Sequence, residues 1–157
     1  CSETGFDGDF DEYAQQDLRL KAEKAKQMGI EVMLENRWSP ERAIAIDNMD
    51  LLSLTANLLD NAIEAAQKVT EKEKRKISVI LEQNKGYLMI DVWNCYNQNY
   101  LKIVGNKFKT TKGDKHLHGK GLEIIREIAE KYMGDFTYDI EGDKIVMKIT
   151  MQNIAAR

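Results

Sequence analysis

Apolar and polar positions along the chain predict alternating helices and strands. From Asp11 to Met28 good helix formers carry a thin apolar set, Leu18, Leu20, Ala22, Ala25 and Met28, with Gly29 placed to cap the helix. Ile30 to Glu35 alternates as a strand does, and Trp38-Ser39-Pro40 ends it. The strongest helical signal covers residues 50–68, where Leu51, Leu54, Leu58, Ala62 and Ala65 recur at helical spacing behind Asp50 as expected N-cap. Ile77–Gln83 and Tyr87–Trp93 alternate with period two around Asn84-Lys85-Gly86, a hairpin pattern. Leu122, Ile125, Ile128, Ala129 and Tyr132 mark another helix, stopped by Gly134. Phe136–Ile140 and Lys144–Met151 form a second hairpin around Glu141-Gly142-Asp143. Paired hairpins separated by helices predict an α+β two-layer sandwich, with helices on one face of a mixed, mostly antiparallel sheet.

Two stretches break this pattern. Residues 1–11 are rich in Gly and Asp and predict a frayed start. Residues 95–118 are polar, contain Gly105 and Gly113, and lack periodicity; a loop that long inside a compact domain is uncommon and usually functional or disordered.

Composition narrows the function classes. The 157 residues fit one domain, able to bury roughly 68–70% of its unfolded surface without staples. No run approaches the roughly 18 apolar residues of a membrane helix, and no signal-peptide pattern opens the chain. Cys1 and Cys95 make no disulfide scaffold or zinc spacing, so a reducing, cytosolic setting is expected. A first residue other than methionine is read as a fragment of something longer. A net charge of −3 argues against nucleic acid as partner. The charge is uneven: residues 102–120 hold six lysines (102, 107, 109, 112, 115 and 120), two histidines and one acid, Asp114. Such a stretch fits either a local anionic ligand or a solvated loop.

Three features carry candidate chemistry. On the 50–68 helix, Asn57, Asp60, Asn61 and Glu64 stand at i, i+3, i+4 and i+7 and are expected on one face. They read either as the wet side of an amphipathic helix or as a ligand site. Asparagine is a poor helix former, and its neutral hard oxygen suits one corner of a Mg²⁺ shell completed by phosphates and waters. Gly119 and Gly121 open the next helix directly after the lysine-rich loop, where backbone N–H groups and the helix dipole favour an anion; flexible loop joints are the plainer reading. Asn94 keeps phase with Leu88, Ile90 and Val92 on the apolar face of its strand. A buried amide there needs a partner, either an adenine edge or its own loop.

Together these segments bring a resemblance. NLLDNAIEAA (57–66) resembles the N box of the GHKL ATPases (gyrase, heat-shock chaperone, histidine kinase, MutL). HGKGL (118–122) is similar to their G2 box, and the stretch between, with FKTTK at 108–112, to their ATP lid. The HGxGL form, Asn94, and the run Lys21, Ala25, Gly29, Ile30 resemble the Agr-type peptide-quorum-sensing histidine kinases, over about residues 12–150. The resemblance implies a Bergerat-type ATP-binding catalytic domain over 29–157 with a lid at about 96–118, preceded in 1–28 by the end of a dimerisation helix. It implies ATP and Mg²⁺ as cofactors. Asn61 would be the metal ligand and Asn57 its support; Asn94 would read adenine. Lys112, His118, Gly119, Lys120, Gly121 and Leu122 would complete the ATP site, with Asn57, Asn61 and Lys112 as the catalytic set. Where most GHKL proteins carry Asp-x-Gly-x-Gly, this chain reads Asn94-Cys95-Tyr96-Asn97-Gln98, with neither glycine.

The expected function is transfer of the γ-phosphoryl group to a histidine outside the chain, in two-component quorum-sensing signalling. His116 and His118, the two histidines present, both adjoin the Gly-rich box. Expected partners are the acceptor-histidine dimerisation domain of the same receptor, a downstream response regulator, and a second copy through the N-terminal helix. The expected place is the cytoplasmic side of a membrane-bound bacterial receptor. The alternatives are an anti-sigma-type protein-serine kinase and a nucleotide-gated interaction module without transfer activity.

Overall fold

The computed structural model describes residues 10–38, 44–97 and 120–154, with the backbone alone for 10–12 and 120. The elements, in chain order, are α1 (Phe10–Gln27), β1 (Glu31–Arg37), α2 (Asn48–Gln67), a 3₁₀ turn (Lys72–Lys74), β2 (Lys76–Asn84), β3 (Tyr87–Cys95), α3 (Lys120–Lys131), β4 (Asp135–Glu141) and β5 (Lys144–Gln152). The strands form one sheet in the order β1-β2-β3-β5-β4. Among the described residues the β1–β2 pair is parallel, with Val32 beside Ile77, and the other three pairs are antiparallel. The three helices of the described residues pack on one face, as the hydrophobic pattern predicts.

Period-two burial explains why. In β3, Leu88, Ile90, Val92 and Asn94 are all buried, while Met89, Asp91 and Trp93 on the other face are partly exposed. Val79 and Leu81 of β2 and Ile145, Met147, Ile149 and Met151 of β5 extend the same inner face. Against it lie Leu51, Leu54, Leu58, Leu59, Ala62, Ala65 and Ala66 of α2. Small residues dominate the last turns of α2, which lets the helix lie close to the strands beneath it. Thr55 is the buried polar residue of this helix, and its hydroxyl is satisfied within the helix by the Leu51 carbonyl at 3.1 Å.

Helix α1 belongs to the same body. Ala14, Leu18 and Ala25 join the main core, and Lys21 pairs with Asp60 of α2 at 3.0 Å. The helix closes through bonds from Gly29 N to the Lys26 carbonyl and from Ile30 N to the Ala25 carbonyl, with buried Ile30 beyond the cap. The run Lys21, Ala25, Gly29, Ile30 thus has a physical account: an ion pair, a core contact, a cap and an anchor.

Two details depart from the sequence reading. The N-cap of α2 is Asp47, not Asp50: its Oδ1 accepts from Met49 N at 2.9 Å and Asp50 N at 3.4 Å. Either acid can cap by residue type, and Asp50 is drawn instead to Lys131 and Tyr132. Helix α3, expected to stop at Gly134, ends at Lys131, and the left-handed residue after it is Met133, with φ 56°. Met133 N bonds the Glu130 carbonyl and Gly134 N bonds the Ala129 carbonyl, so Met133 occupies the position usually given to glycine. Gly134 is required for a different reason, because a Cβ there would lie 1.8 Å from the Thr150 carbonyl oxygen.

Two predictions follow from this packing. Gly134→Ala must push backbone against backbone where α3 meets β5. It should cost about 2–3 kcal/mol or more, lowering Tm by roughly 4–12 °C; thermal melts showing less than a 2 °C change would contradict the close approach. Tyr138, half-buried on β4, has its phenol pushed up from 10.0 to about 12, first by burial and then by Tyr96 nearby. A raised phenol pKa stabilises the fold fully below the ordinary value and ceases to do so as pH climbs to about 12. Wild type should therefore lose stability between pH 10 and 12 more steeply than Tyr138→Phe in denaturant titrations; identical profiles would contradict the desolvated phenol.

Candidate nucleotide site

The site lies where the middle of α2, the start of α3 and the inner face of β3, β4 and β5 meet. Packing the leucine face of α2 on the sheet turns Asn57 and Asn61, one turn apart, toward α3; both are half-buried. Each is held by its own helix. Asn57 Nδ2 donates to the Ser53 carbonyl at 2.7 Å, and Asn61 Nδ2 to the Asn57 carbonyl at 2.8 Å. Such back-bonding to i−4 explains how a helix interior accommodates two poor helix formers. It also fixes the amide orientation, since the nitrogen must face a carbonyl and the oxygen turns away. Neither Oδ1 accepts a hydrogen bond among the described residues.

Gly121 approaches these two amides closely. A Cβ there would stand 3.2 Å from Asn57 Oδ1 and 3.3 Å from Asn61 Nδ2, tighter than ordinary contact. The sequence reading of Gly121 as a close-approach position therefore has a concrete neighbour. Leu122, next in α3, is buried at the same junction.

Asn94 closes the other end. It is 1% exposed, between Ile77 and Ile145 in the sheet register. Its Nδ2 donates to the Cys95 carbonyl at 3.0 Å, the own-loop bond left open by the sequence. That bond does not exhaust the side chain, because the oxygen is left as an acceptor without a partner among the described residues. An amide in phase with Leu88, Ile90 and Val92 is a polar exception on an apolar face, and its oxygen is an acceptor that a ligand in the slot could use.

Between these groups is a narrow slot lined by Asn61, Ala65, Asn94, Leu122, Tyr138, Ile145 and Met147, with a cavity volume of about 10 Å³. Apolar walls with a few polar groups are the usual make-up of a small-molecule site, but at this size the walls must part to admit more than a water molecule. Ala65, Tyr138, Ile145 and Met147 were not singled out by the sequence. Tyr138 offered one usable signal, a phenol in phase with Phe136 on the inner face of its hairpin.

The remaining expected residues divide. Asp60 is exposed and turned toward Lys21 of α1, so it leaves the face shared by Asn57 and Asn61. Glu64 is exposed one turn beyond Asn61. Lys112, His118 and Gly119 lie outside the described residues, as does the side chain of Lys120, whose backbone begins α3. Of the expected lid, Tyr96 and Asn97 are described: Tyr96 Oη donates to the Gly142 carbonyl at 3.0 Å and Asn97 Nδ2 to the Lys68 carbonyl at 3.1 Å. Residues 98–118 lie outside. Among the described residues no three His, Cys, Asp or Glu side chains cluster to hold a metal. A cation here would take at most an amide oxygen from Asn57 or Asn61, with other ligands brought by an anionic partner, which suits Mg²⁺. Among the described residues no helix is long and apolar enough to cross a membrane.

Comparison with known proteins bears on the family and the fold. The GHKL domain family model matches residues 46–152, most of the chain and every element from α2 onward. No curated protein matches the sequence. Among solved structures, two nucleotide-free crystal forms of the catalytic domain of the histidine kinase ThkA superpose with TM-scores of 0.69 and 0.67 at 22% and 25% identity, covering 91% of this chain and 91% and 93% of theirs. Full-length ShkA in complex with AMPPNP gives a TM-score of 0.65 at 19% identity, covering 94% of this chain but 31% of that one. The mycobacterial sensor histidine kinase MprB gives 0.58 at 17% identity, covering 90% of this chain and 95% of that one. The chain has the α+β fold of histidine kinase catalytic domains, and it belongs to the GHKL family.

Proposed function

We propose that the chain is the ATP·Mg²⁺-binding catalytic domain of a sensor histidine kinase, which donates the γ-phosphoryl group to a histidine on another part of its receptor. The observation that carries this reading is the set of three asparagines whose amide nitrogens are taken by backbone carbonyls, with Asn61 and Asn94 lining one slot and Asn57 beside Gly121 next to it. Adenine would enter the slot against Ile145 and Met147 as its walls part, its amino group given to Asn94 Oδ1. The triphosphate would then run past Asn61 toward the start of α3, where Gly121 leaves room and the helix dipole favours negative charge. Mg²⁺, when bound, would neutralise phosphate charge, with Asn61 as its protein ligand and Asn57 beside it. Lys112, His118, Gly119 and Lys120 would enclose the phosphates as parts of a lid over about 96–118.

The finer reading is an Agr-type peptide-quorum-sensing kinase, supported by Asn94, the HGKGL box and the run from Lys21 to Ile30. In it α1 would be the end of a dimerisation helix, able to bring two copies together, and residues 29–157 the catalytic domain proper. The receptor would be membrane-bound with this domain on the cytoplasmic side, passing phosphate to a response regulator.

Two measurements check the proposal. Calorimetry should show ATP binding that requires Mg²⁺ and weakens roughly 10–100-fold in folded Asn61→Ala; unchanged affinity would remove Asn61 from the site. The isolated chain, mixed with ATP and the separately expressed acceptor domain, should give acid-labile, base-stable label on the acceptor and none on itself. Label on His116 or His118 would refute the split arrangement. Acid-stable label on a partner's serine would favour an anti-sigma-type kinase, and binding without transfer a nucleotide-gated interaction module.

A further inference from the structure

Far from the slot, the end of α3 is tied to the start of α2. Tyr132 Oη donates to Asp50 Oδ2 at 2.6 Å and accepts from the Asp47 backbone N–H at 3.0 Å. Lys131 Nζ reaches the same Asp50 oxygen at 2.7 Å. The signs suit the helix dipoles, with an acid in the first turn of α2 and a base in the last turn of α3. Burial alone pushes the Asp50 carboxyl up, but the bonds from Lys131 and Tyr132 and the lysine charge outweigh it and hold it below its ordinary value. Tyr132 is pushed up, by burial and by its bond to Asp50.

The two helices therefore run antiparallel, touching at both ends of one lever. From Asp50 to Asn57 and Asn61 is roughly 10–17 Å along α2, and from Lys131 back to Gly121 about 15 Å along α3. Matching lengths let one clamp set the register at the other end, where Gly121 sits against Asn57 and Asn61 with no slack. A small slide of α3 would close or open that gap. The base end of the slot depends less on α3: Asn94, Ile145 and Met147 are held by the sheet, and among the described residues Leu122 is the one lining residue that α3 supplies.

We propose that Asp50, Tyr132 and Lys131 are positioning residues for the phosphate end of the nucleotide site, acting through the α2–α3 register. The proposal rests on the nucleotide reading above. It assigns a binding role to residues that touch no part of the slot.

The test uses Tyr132→Phe, which keeps the packed ring and removes the hydroxyl, and Asp50→Asn, which keeps shape and removes charge. Affinities for ATP·Mg²⁺ and for adenosine are measured side by side by side-chain NMR titration. Both variants should lose ATP affinity by roughly 2- to 30-fold, the usual span for mutations that couple to a site without touching ligand. Adenosine affinity should stay within about twofold, because the sheet holds the base end. Val32→Ala, in edge strand β1 away from the slot, is the control: it should lower Tm yet leave the ATP-to-adenosine ratio unchanged. Equal losses for both ligands, no loss in either variant, or a ratio change in the control would overturn the clamp. Wild-type chain binding neither ligand would instead overturn the nucleotide reading and the clamp with it.

Discussion

The seating of α2 on the sheet is the constraint from which the rest follows. Its buried face is committed to Leu54, Leu58, Ala62 and Ala65 against β2, β3 and β5, so its rotation is not free. Turning the helix by one residue would bury an asparagine and expose a leucine, at about 1.5–3 kcal/mol for the leucine alone. With that rotation set, Asn57 and Asn61 emerge at the edge toward α3, and Asp60 emerges toward α1. Three adjacent polar residues thus acquire different duties from one packing decision. The position of Gly121 is a consequence too, because α3 packs against the flank that α2 leaves open.

The site is built largely from neutral oxygens. An asparagine amide can present either end to a ligand, and that ambiguity is removed here by backbone carbonyls of Ser53, Asn57 and Cys95 that each take the nitrogen. A carboxylate at Asn94, buried to 1%, would have to be desolvated with its charge; the amide keeps an acceptor oxygen without that cost. The missing glycines after Asn94 have a visible counterpart, because Tyr96 and Asn97 are bonded to Gly142 and Lys68 and hold the start of the connection against the body of the domain.

Much of the fold was legible because two periods dominate it. The leucine and alanine spacing of 50–68 and the alternation of 87–94 are signals that tertiary context has no reason to override. The failures came where several residues are chemically equal and geometry chooses. Asp47 and Asp50 can both cap a helix, and the hydroxyl of Tyr132, eighty-two residues away, decided between them. Gly134 was read as the stop of α3; Met133 takes the left-handed conformation there, and the glycine answers the Thr150 carbonyl. At the site, Asn57, Asn61, Asn94, Gly121 and Leu122 were readable as residue types out of place for their elements. Tyr138, Ile145 and Met147 were not, since an inner-face residue over a slot has the same sequence pattern as one over the core.

The central claim is that three separate amides serve one ligand, and their own side-chain resonances report on it directly. In ¹H–¹⁵N spectra of the chain titrated with ATP and Mg²⁺, the Nδ2 signals of Asn57, Asn61 and Asn94 should shift together along one saturation curve. With adenosine alone, the Asn94 signal should move, with Asn61 at the slot wall following it, and that of Asn57 should stay nearly still. Three unrelated curves, or an Asn94 signal indifferent to both ligands, would contradict the account.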